Sequence, residues 1–265
     1  MVKIVDLEKQ YEPLYHVCLE DWSDEMKEAG DHKARWITKM KENGLRVKLA
    51  LDEAGEVCGM VEYLPIDQSI ADGQNLMYIN CIWVHAHKKG IGDKRKQGYG
   101  KALLAAAEDD SRASGAVGMA AYGLTMPFWI PASFFKKQGY VRADKEGIGV
   151  LLFKPFGADA RPPKMIRQKK TPEKNQNPGA VTVTFFLSGY CPGRNIVFER
   201  TKRAVESFDG KAVFIAVDTS DRETYLEWGM RDELFIEDKQ VRYGPPLSYE
   251  KVKKRIAKQV RKLAR

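Results

Sequence analysis

The chain has 265 residues, of which 43% are hydrophobic and 30% charged, and its formal net charge is +8. This length suggests two domains, and the composition is that of a globular protein rather than of a disordered, collagen-like or membrane-spanning chain. No run approaches the roughly 18 apolar residues of a membrane span, and the N-terminus has no apolar core of a signal peptide. We therefore expect a cytoplasmic protein with no membrane partner.

The cysteines indicate the redox environment. Four cysteines occur without any C-x-x-C pair: Cys18, Cys58, Cys81 and Cys191. This scatter argues against a metal-binding knot and against a disulfide framework, and it is typical of a reducing compartment. We expect no bound metal.

The first quarter of the chain predicts a strand, two helices and a hairpin of two strands. Asn43-Gly44 ends the second helix, and Glu53 to Glu56 forms the turn of the hairpin. The predicted elements are Val2–Val5, Leu7–Glu20, Asp24–Lys41, Arg46–Asp52 and Val57–Leu64.

The most informative stretch is Met77 to Ser114. Met77–Val84 is an almost uninterrupted apolar run with β-favouring residues, which predicts a strand buried on both faces. A basic, glycine-rich segment, His85 to Gly100, follows and leads into a strongly helix-forming run. Free N–H groups at a helix N-terminus attract anions, and glycines allow a phosphate to approach closely. The sequence therefore predicts an anion site in this turn.

The remaining pattern completes one domain, a linker and a second domain. The first domain, residues 1–156, continues with a strand, a helix and two strands, at Val117–Leu124, Pro131–Gln138, Val141–Ala143 and Gly149–Lys154. Residues 157–179 are rich in proline and basic residues, which is typical of an exposed linker. Residues 180–265 predict the order βαβαββα, with elements at Val181–Leu187, Ile196–Phe208, Ala212–Asp218, Arg222–Trp228, Glu233–Ile236, Lys239–Tyr243 and Lys251–Arg265.

Two motifs in the first domain resemble a known family. Arg95 to Gly100 fits R/Q-x-x-G-x-G, and Ala132 to Tyr140 fits A-x-x-F-x-x-x-G-F/Y. Together, and in this order, they resemble the GNAT (GCN5-related) N-acetyltransferases. The resemblance implies a mixed α/β fold, the GNAT acyl-CoA N-acyltransferase fold, with acetyl-CoA as cofactor and a small-molecule amine as acceptor. His87 to Gly92 partly mimics the first motif, and we prefer the downstream copy because it adjoins the helix.

The resemblance also implies which residues bind acetyl-CoA. In this family, backbone groups at the end of the central strand pair with the pantetheine arm, and the glycine turn binds the pyrophosphate. Carried over by position, the cofactor-binding residues are Ile82, Trp83, Val84, Arg95, Lys96, Gln97, Gly98, Tyr99, Gly100 and Lys101.

The catalytic residues are less well defined. Many family members carry a tyrosine four residues before the motif glycine as general acid, and this chain has Phe135 there. Tyr140, Cys81 or water would then protonate the thiolate, unless the thiolate leaves unaided. Tyr140 and Cys81 also suit plain packing roles. Glu62 is the first choice for the general base, and its alternative role is that of a solvent-facing polar residue in a strand. His85 is the second choice, and its alternative role is that of a loop residue without a catalytic function.

The second domain resembles the thioredoxin-like domains, and the two domains together resemble the YoaP-like proteins. The second cysteine of C-x-x-C is replaced by Arg194, and no proline precedes Glu233, so disulfide reduction is not expected. Cys191 stands at the turn into a helix, where we expect a lowered thiol pKa and a role on the acceptor side.

Partners and function have open alternatives. Residues 251–265 contain eight basic and no acidic residues, with an apolar stripe that favours a docked amphipathic helix over nucleic-acid binding. The sequence leaves a homodimer open. An acetyl-CoA-dependent N-acetyltransferase is the leading hypothesis, and a CoA-binding sensor with a degenerate active site is the alternative.

Overall fold

The computed structural model describes residues 2–127 and 130–263. Its contacts divide the chain into two compact units. Unit 1 comprises Met1–Trp22 and Lys39–Ile166, and unit 2 comprises Ser23–Thr38 and Arg167–Arg265. The chain thus leaves unit 1 after Trp22, contributes a short segment to unit 2, returns at Lys39, and leaves unit 1 again after Ile166. None of the described helices is long and apolar enough to cross a membrane.

Unit 1 is built on one seven-stranded sheet. Its strands are β1 Lys3–Asp6, β2 Arg46–Leu51, β3 Val57–Pro65, β5 Leu76–Val84, β6 Gly118–Leu124, β7 Val141–Glu146 and β8 Gly149–Pro155. Their order across the sheet is β1-β2-β3-β5-β6-β8-β7. Neighbours are antiparallel except β5 and β6, which are parallel. A separate two-stranded ladder joins β4 Ala71–Asp72 to β9 Lys164–Met165.

Two helices pack on this sheet, α3 Tyr99–Ala113 and α4 Ala132–Lys136. Two more helices precede β2 in the chain, α1 Glu12–His16 and α2 His32–Glu42. The longest, α3, buries Leu103, Leu104 and Ala107 in the main core. Its close approach to the sheet depends on Gly59, because a Cβ added there would lie 2.9 Å from Leu103 Cδ1. The sheet therefore holds α3, and with it the glycine turn at the start of α3, in a fixed position.

The two long helices predicted near the N-terminus are shorter in the structure. The first prediction, Leu7–Glu20, contains only a 3-10 turn and α1, which ends at His16. Cys18 and Leu19 then adopt left-handed φ values of 51° and 65°, which cannot continue a right-handed helix. The second helix starts only at His32, after Gly30 at φ 63°. The predicted helix Pro131–Gln138 is likewise reduced to α4.

The stretch predicted as a linker is partly built into unit 1. Residues 157–166 belong to that unit, and β9 pairs with β4. Ile166 N also donates to Ile70 O at 3.0 Å. Backbone pairing therefore extends unit 1 to Ile166, and the proline-rich composition of this stretch gave no sign of that pairing.

Unit 2 has the predicted order of elements. They are β10 Val181–Leu187, α5 Pro192–Glu206, β11 Ala212–Asp218, α6 Arg222–Trp228, β12 Glu233–Ile236, β13 Lys239–Gln240 and α7 Tyr249–Leu263. The strand order is β11-β10-β12-β13, with β10 and β11 parallel and the other pairs antiparallel. The last strand was predicted to reach Tyr243 and stops at Gln240. In α7, Val252 and Ile256 are fully buried, as the amphipathic pattern predicts.

The segment Ser23–Thr38 packs on α5 within unit 2. The Arg200 guanidinium bonds to Glu28 at 2.7 and 3.2 Å and lies 2.9 Å from Glu25. His32 Nε2 lies 2.6 Å from Glu199 Oε1. A segment that precedes β2 by sequence is therefore held by a helix some 170 residues further along the chain.

Removing Arg200 should destabilise the protein. Arg200 is only 8% exposed, and it also donates to Leu247 O at 3.1 Å. Arg200→Ala removes the bonds to Glu25, Glu28 and the Leu247 carbonyl, while Arg203 still pairs with Glu28. We therefore expect the free energy of unfolding in urea to fall by about 2 kcal/mol. The exposed neighbour Lys202, changed to alanine, is the control and should cost under about 0.5 kcal/mol. Equal effects of the two variants would contradict this role.

Candidate active site

The site begins where two central strands separate. The strand β5 pairs with β3 as far as Val84 but with β6 only over Leu76–Ile79. Beyond Ile79, the β6-facing edge of β5 has no strand partner among the described residues. Ile82, Trp83 and Val84 lie in this part and are half-buried. Unpaired strand-edge groups can hydrogen-bond an extended ligand in place of a neighbouring strand.

A β-bulge marks the point of separation. Glu62 pairs with Cys81 and Tyr63 pairs with Ile79, so Asn80 has no opposite residue in β3. A bulge redirects side chains and increases the local twist. Here it places Asn80 beside Glu62, with Asn80 Nδ2 donating to Glu62 Oε1 at 2.7 Å.

The glycine turn leads directly into α3. Gly98 is the residue before the helix, and its φ of 89° is a left-handed value that favours glycine. The first backbone bond of the helix runs from Ala102 N to Gly98 O at 3.0 Å. The N–H groups of Tyr99, Gly100 and Lys101 therefore lie in the first turn, where helices leave donors free for an anion. A Cβ built at Gly98 would meet nothing within 4 Å, so the turn is open.

Basic side chains surround the open turn. Lys96, Gln97 and Lys101 are exposed. Arg95 forms a two-pronged pair with Asp93, with Nη2 at 2.6 Å and Nε at 2.9 Å from the two carboxylate oxygens. Hydrogen bonding from Arg95 lowers the pKa of Asp93. Tyr99 differs from its neighbours, because its side chain packs into the core and only its backbone faces the turn.

Glu62 is fully buried, at 0% exposure. Its alternative reading as a solvent-side strand residue is therefore wrong. The carboxylate accepts hydrogen bonds from Asn80 Nδ2 and from the Tyr15 hydroxyl. Burial, followed by the charge of Glu62, raises the pKa of Tyr15 well above its usual value, so Tyr15 stays protonated as a donor. Cys81, half-buried, faces Glu62 from the neighbouring strand.

Sequence reasoning missed two of these residues. Asn80 was detectable in principle, because it is the single amide in an apolar strand. Tyr15 carried no local signal, since its contact with Glu62 spans 47 residues.

The other predicted catalytic residues have different surroundings. Tyr140 is 2% exposed, and its ring packs on Phe135 at 5.5 Å. Burial and then the Glu108 carboxylate raise the pKa of Tyr140 well above its ordinary value. Glu108 lies two turns into α3, about 12 Å along the helix axis from Gly100. His85, 0% exposed, uses both ring nitrogens, one with Trp22 and one with Gly92.

Cys191 lies in unit 2 at the start of α5. The prediction of a lowered thiol pKa is wrong. Burial raises the pKa of Cys191, and the Asp232 carboxylate adds to the effect, while the Arg194 backbone N–H only partly opposes it. Desolvation thus outweighs the helix N-terminus here.

Comparison with known proteins agrees with this geometry. The model of the Acetyltransferase (GNAT) family matches residues 3–140. A protein of Bacillus subtilis (strain 168), named "Uncharacterized N-acetyltransferase YoaP", is 26% identical over 182 residues, which is 67% of each chain.

Solved structures are also similar. The PaiA N-acetyltransferase from Thermoplasma acidophilum in complex with coenzyme A has a TM-score of 0.44 and 19% identity, covering 58% of this chain and 99% of its own. A GNAT family acetyltransferase from Brucella melitensis in complex with acetyl-CoA has a TM-score of 0.41 and 13% identity. The match covers 61% of this chain and 92% of that protein. Because the family model spans more than half of its residues, the chain belongs to the acetyltransferase (GNAT) family.

Proposed function

We propose that this protein is an acetyl-CoA-dependent N-acetyltransferase that acts on the amine of a small, amino-acid-like acceptor. The observation that carries the proposal is the combination of a β5 edge that β6 leaves unpaired beyond Ile79 with an open glycine turn at the N-terminus of α3. Its N–H donors and surrounding cations suit the pyrophosphate of CoA, and the strand edge suits the amides of the pantetheine arm.

The residues that would hold acetyl-CoA divide into two groups. The backbone of Tyr99, Gly100 and Lys101 would bind the pyrophosphate, with Arg95 and Lys96 supplying positive charge. The backbone of Ile82–Val84 would pair with the pantetheine arm and hold the thioester against the strand. When bound, acetyl-CoA supplies the activated acetyl group.

For the transfer itself, we propose direct attack without a covalent enzyme intermediate. The acceptor nitrogen forms a C–N bond while the C–S bond breaks, and the acceptor gives up a proton. Glu62 takes that proton, directly or through one water, and Asn80 and Tyr15 hold its carboxylate in place. Cys81, opposite Glu62, is the proposed donor of the proton to the thiolate. The proton held by Glu62 then passes to Cys81, which restores both groups. The burial of Tyr140 supports a packing role.

Thiol release tests the proposal. Purified protein is mixed with acetyl-CoA and a panel of primary amines and amino acids, and free CoA thiol and acetylated product are measured together. We expect equimolar thiol and product with at least one amine. Tight CoA binding without turnover across the panel would instead favour the sensor hypothesis.

For unit 2, we propose a thioredoxin-like domain without dithiol chemistry. Its βαβαββα order and its β11-β10-β12-β13 sheet support this proposal. The raised pKa of Cys191 supports a neutral thiol rather than a reactive one. None of the four cysteines, Cys18, Cys58, Cys81 and Cys191, forms a disulfide, which is what we would expect of a protein in the cytoplasm, the location we propose.

A further inference from the structure

A loop separates the central strand from the glycine turn, and its two ends are joined. The loop, residues 86–93, is closed by a bond from Lys94 N to His85 O at 2.9 Å. On the strand side, His85 N donates to Cys58 O at 2.9 Å. Arg95 therefore starts the glycine turn beside the end of β5, although ten residues separate it from Val84 in sequence.

The His85 ring lies at the centre of this closure. Trp22 Nε1 lies 3.2 Å from His85 Nε2. An indole N–H can only donate, so His85 Nε2 must accept and carries no proton. The proton of the neutral ring is then on Nδ1, which donates to Gly92 O at 2.8 Å. His85 thus bridges Trp22, which follows α1, to the far side of the loop.

Two further contacts fix the loop. Gly90, at φ 62°, lies so close to Trp22 that an added Cβ would be 2.5 Å from Trp22 Cδ1. Lys94 Nζ pairs with Asp52 Oδ2 at 2.7 Å, beside the turn between β2 and β3. These contacts lie within unit 1, and they involve side chains that the proposed transfer chemistry does not use.

We propose that His85 and Trp22 are positioning residues for acetyl-CoA: they hold the loop closed so that the glycine turn is presented to the pyrophosphate. The next residue after Gly92, Asp93, orients Arg95 at the edge of the turn. A turn held in its binding conformation binds more tightly, because less ordering remains to be done on binding. This inference rests on the proposed function, and it replaces the prediction of His85 as a base.

Three variants test the two hydrogen bonds of the His85 ring, to Trp22 and to Gly92, separately and together. Trp22→Phe keeps an aromatic ring and removes only the N–H donor. His85→Asn keeps a donor near the position of Nδ1 for Gly92 O but loses the acceptor for Trp22. His85→Leu removes both bonds. Trp228→Phe is the matched control for loss of an indole, since the Trp228 ring packs on Phe186 within unit 2.

Calorimetric titration with CoA is the first measurement. We expect the Kd for CoA to rise about tenfold for Trp22→Phe and for His85→Asn, and further for His85→Leu. Trp228→Phe should stay within about twofold of the wild type, since it lies outside the loop. Unchanged affinity in Trp22→Phe and His85→Leu would overturn the inference. Absence of CoA binding by the wild type would overturn the proposed function itself.

Steady-state kinetics then distinguishes positioning from general damage. With an amine that the wild type acetylates, Trp22→Phe should raise KM for acetyl-CoA and leave kcat at saturating acetyl-CoA nearly unchanged. A fall in kcat with unchanged KM would overturn the inference, because it would return His85 and its contacts to the chemical step.

Discussion

Replacing Glu62 by glutamine is expected to lower kcat/KM by about 100-fold at neutral pH. Glutamine keeps the shape of the side chain and can accept from Asn80 Nδ2, while its amide donates to the Tyr15 hydroxyl, which can reverse its role. The variant should therefore fold and bind CoA with nearly unchanged affinity. What it loses is the ability to take a proton from the acceptor.

The pH dependence tests this assignment further. As the pH rises, more of the acceptor is already the free amine, so the deficit of Glu62→Gln should shrink. Rates are measured from pH 6 to 10 at saturating acetyl-CoA. Glu56→Gln, an exposed carboxylate in the turn before β3, is the control and should follow the wild type throughout. Parallel profiles for wild type and Glu62→Gln would remove Glu62 from the chemistry.

The second large effect is expected at the glycine turn. Gly98→Val should weaken CoA binding by about 2 kcal/mol, or roughly 30-fold in Kd. At φ 89° a β-branched residue is strained, and the backbone must shift to relieve it. Since the added Cβ meets no other atom within 4 Å, strain rather than a clash causes the loss. Shifted N–H groups would no longer converge on the pyrophosphate.

Gly115 provides a matched control at the other end of α3. It has nearly the same φ, 86°, and a Cβ there also meets nothing within 4 Å. Gly115→Val should therefore destabilise the fold similarly but change the Kd for CoA less than twofold. Gly90 is unsuitable as a control because its substitution strikes Trp22. If Gly115→Val weakens CoA binding as much as Gly98→Val, the turn before α3 is not the binding site.

The central unit was the most predictable part of the fold. Met77–Val84 was predicted as a strand and is found at Leu76–Val84, because a long apolar run with one amide leaves few alternatives. The N-terminal helices were predicted less well. Their apolar spacing continues through Cys18 and Leu19, and nothing in it shows that these residues adopt left-handed backbones.

The features that the sequence did not predict depend on contacts between residues far apart in the chain. Asp24–Lys41 was predicted as a helix of the first domain, whereas Ser23–Thr38 belongs to unit 2. The packing of this segment on α5 depends on Arg200, far along the chain. Glu62 was recognisable as a carboxylate on a central strand. Its burial depends on the β-bulge at Asn80 and on Tyr15, which only the folded chain brings together. Likewise, a histidine at a strand end suggests a base, and only its two contacts reveal that both nitrogens are engaged.

The decisive measurement is a crystal structure of the protein with CoA bound. We expect pyrophosphate oxygens bonded to the backbone N–H groups of Tyr99, Gly100 and Lys101, and a pantetheine arm paired with the β5 edge at Ile82–Val84. The sulfur should then lie on the side of the bulge that carries Cys81 and Glu62. Pyrophosphate bound instead at Gly90 and Gly92, or a pantetheine arm away from β5, would contradict this expectation.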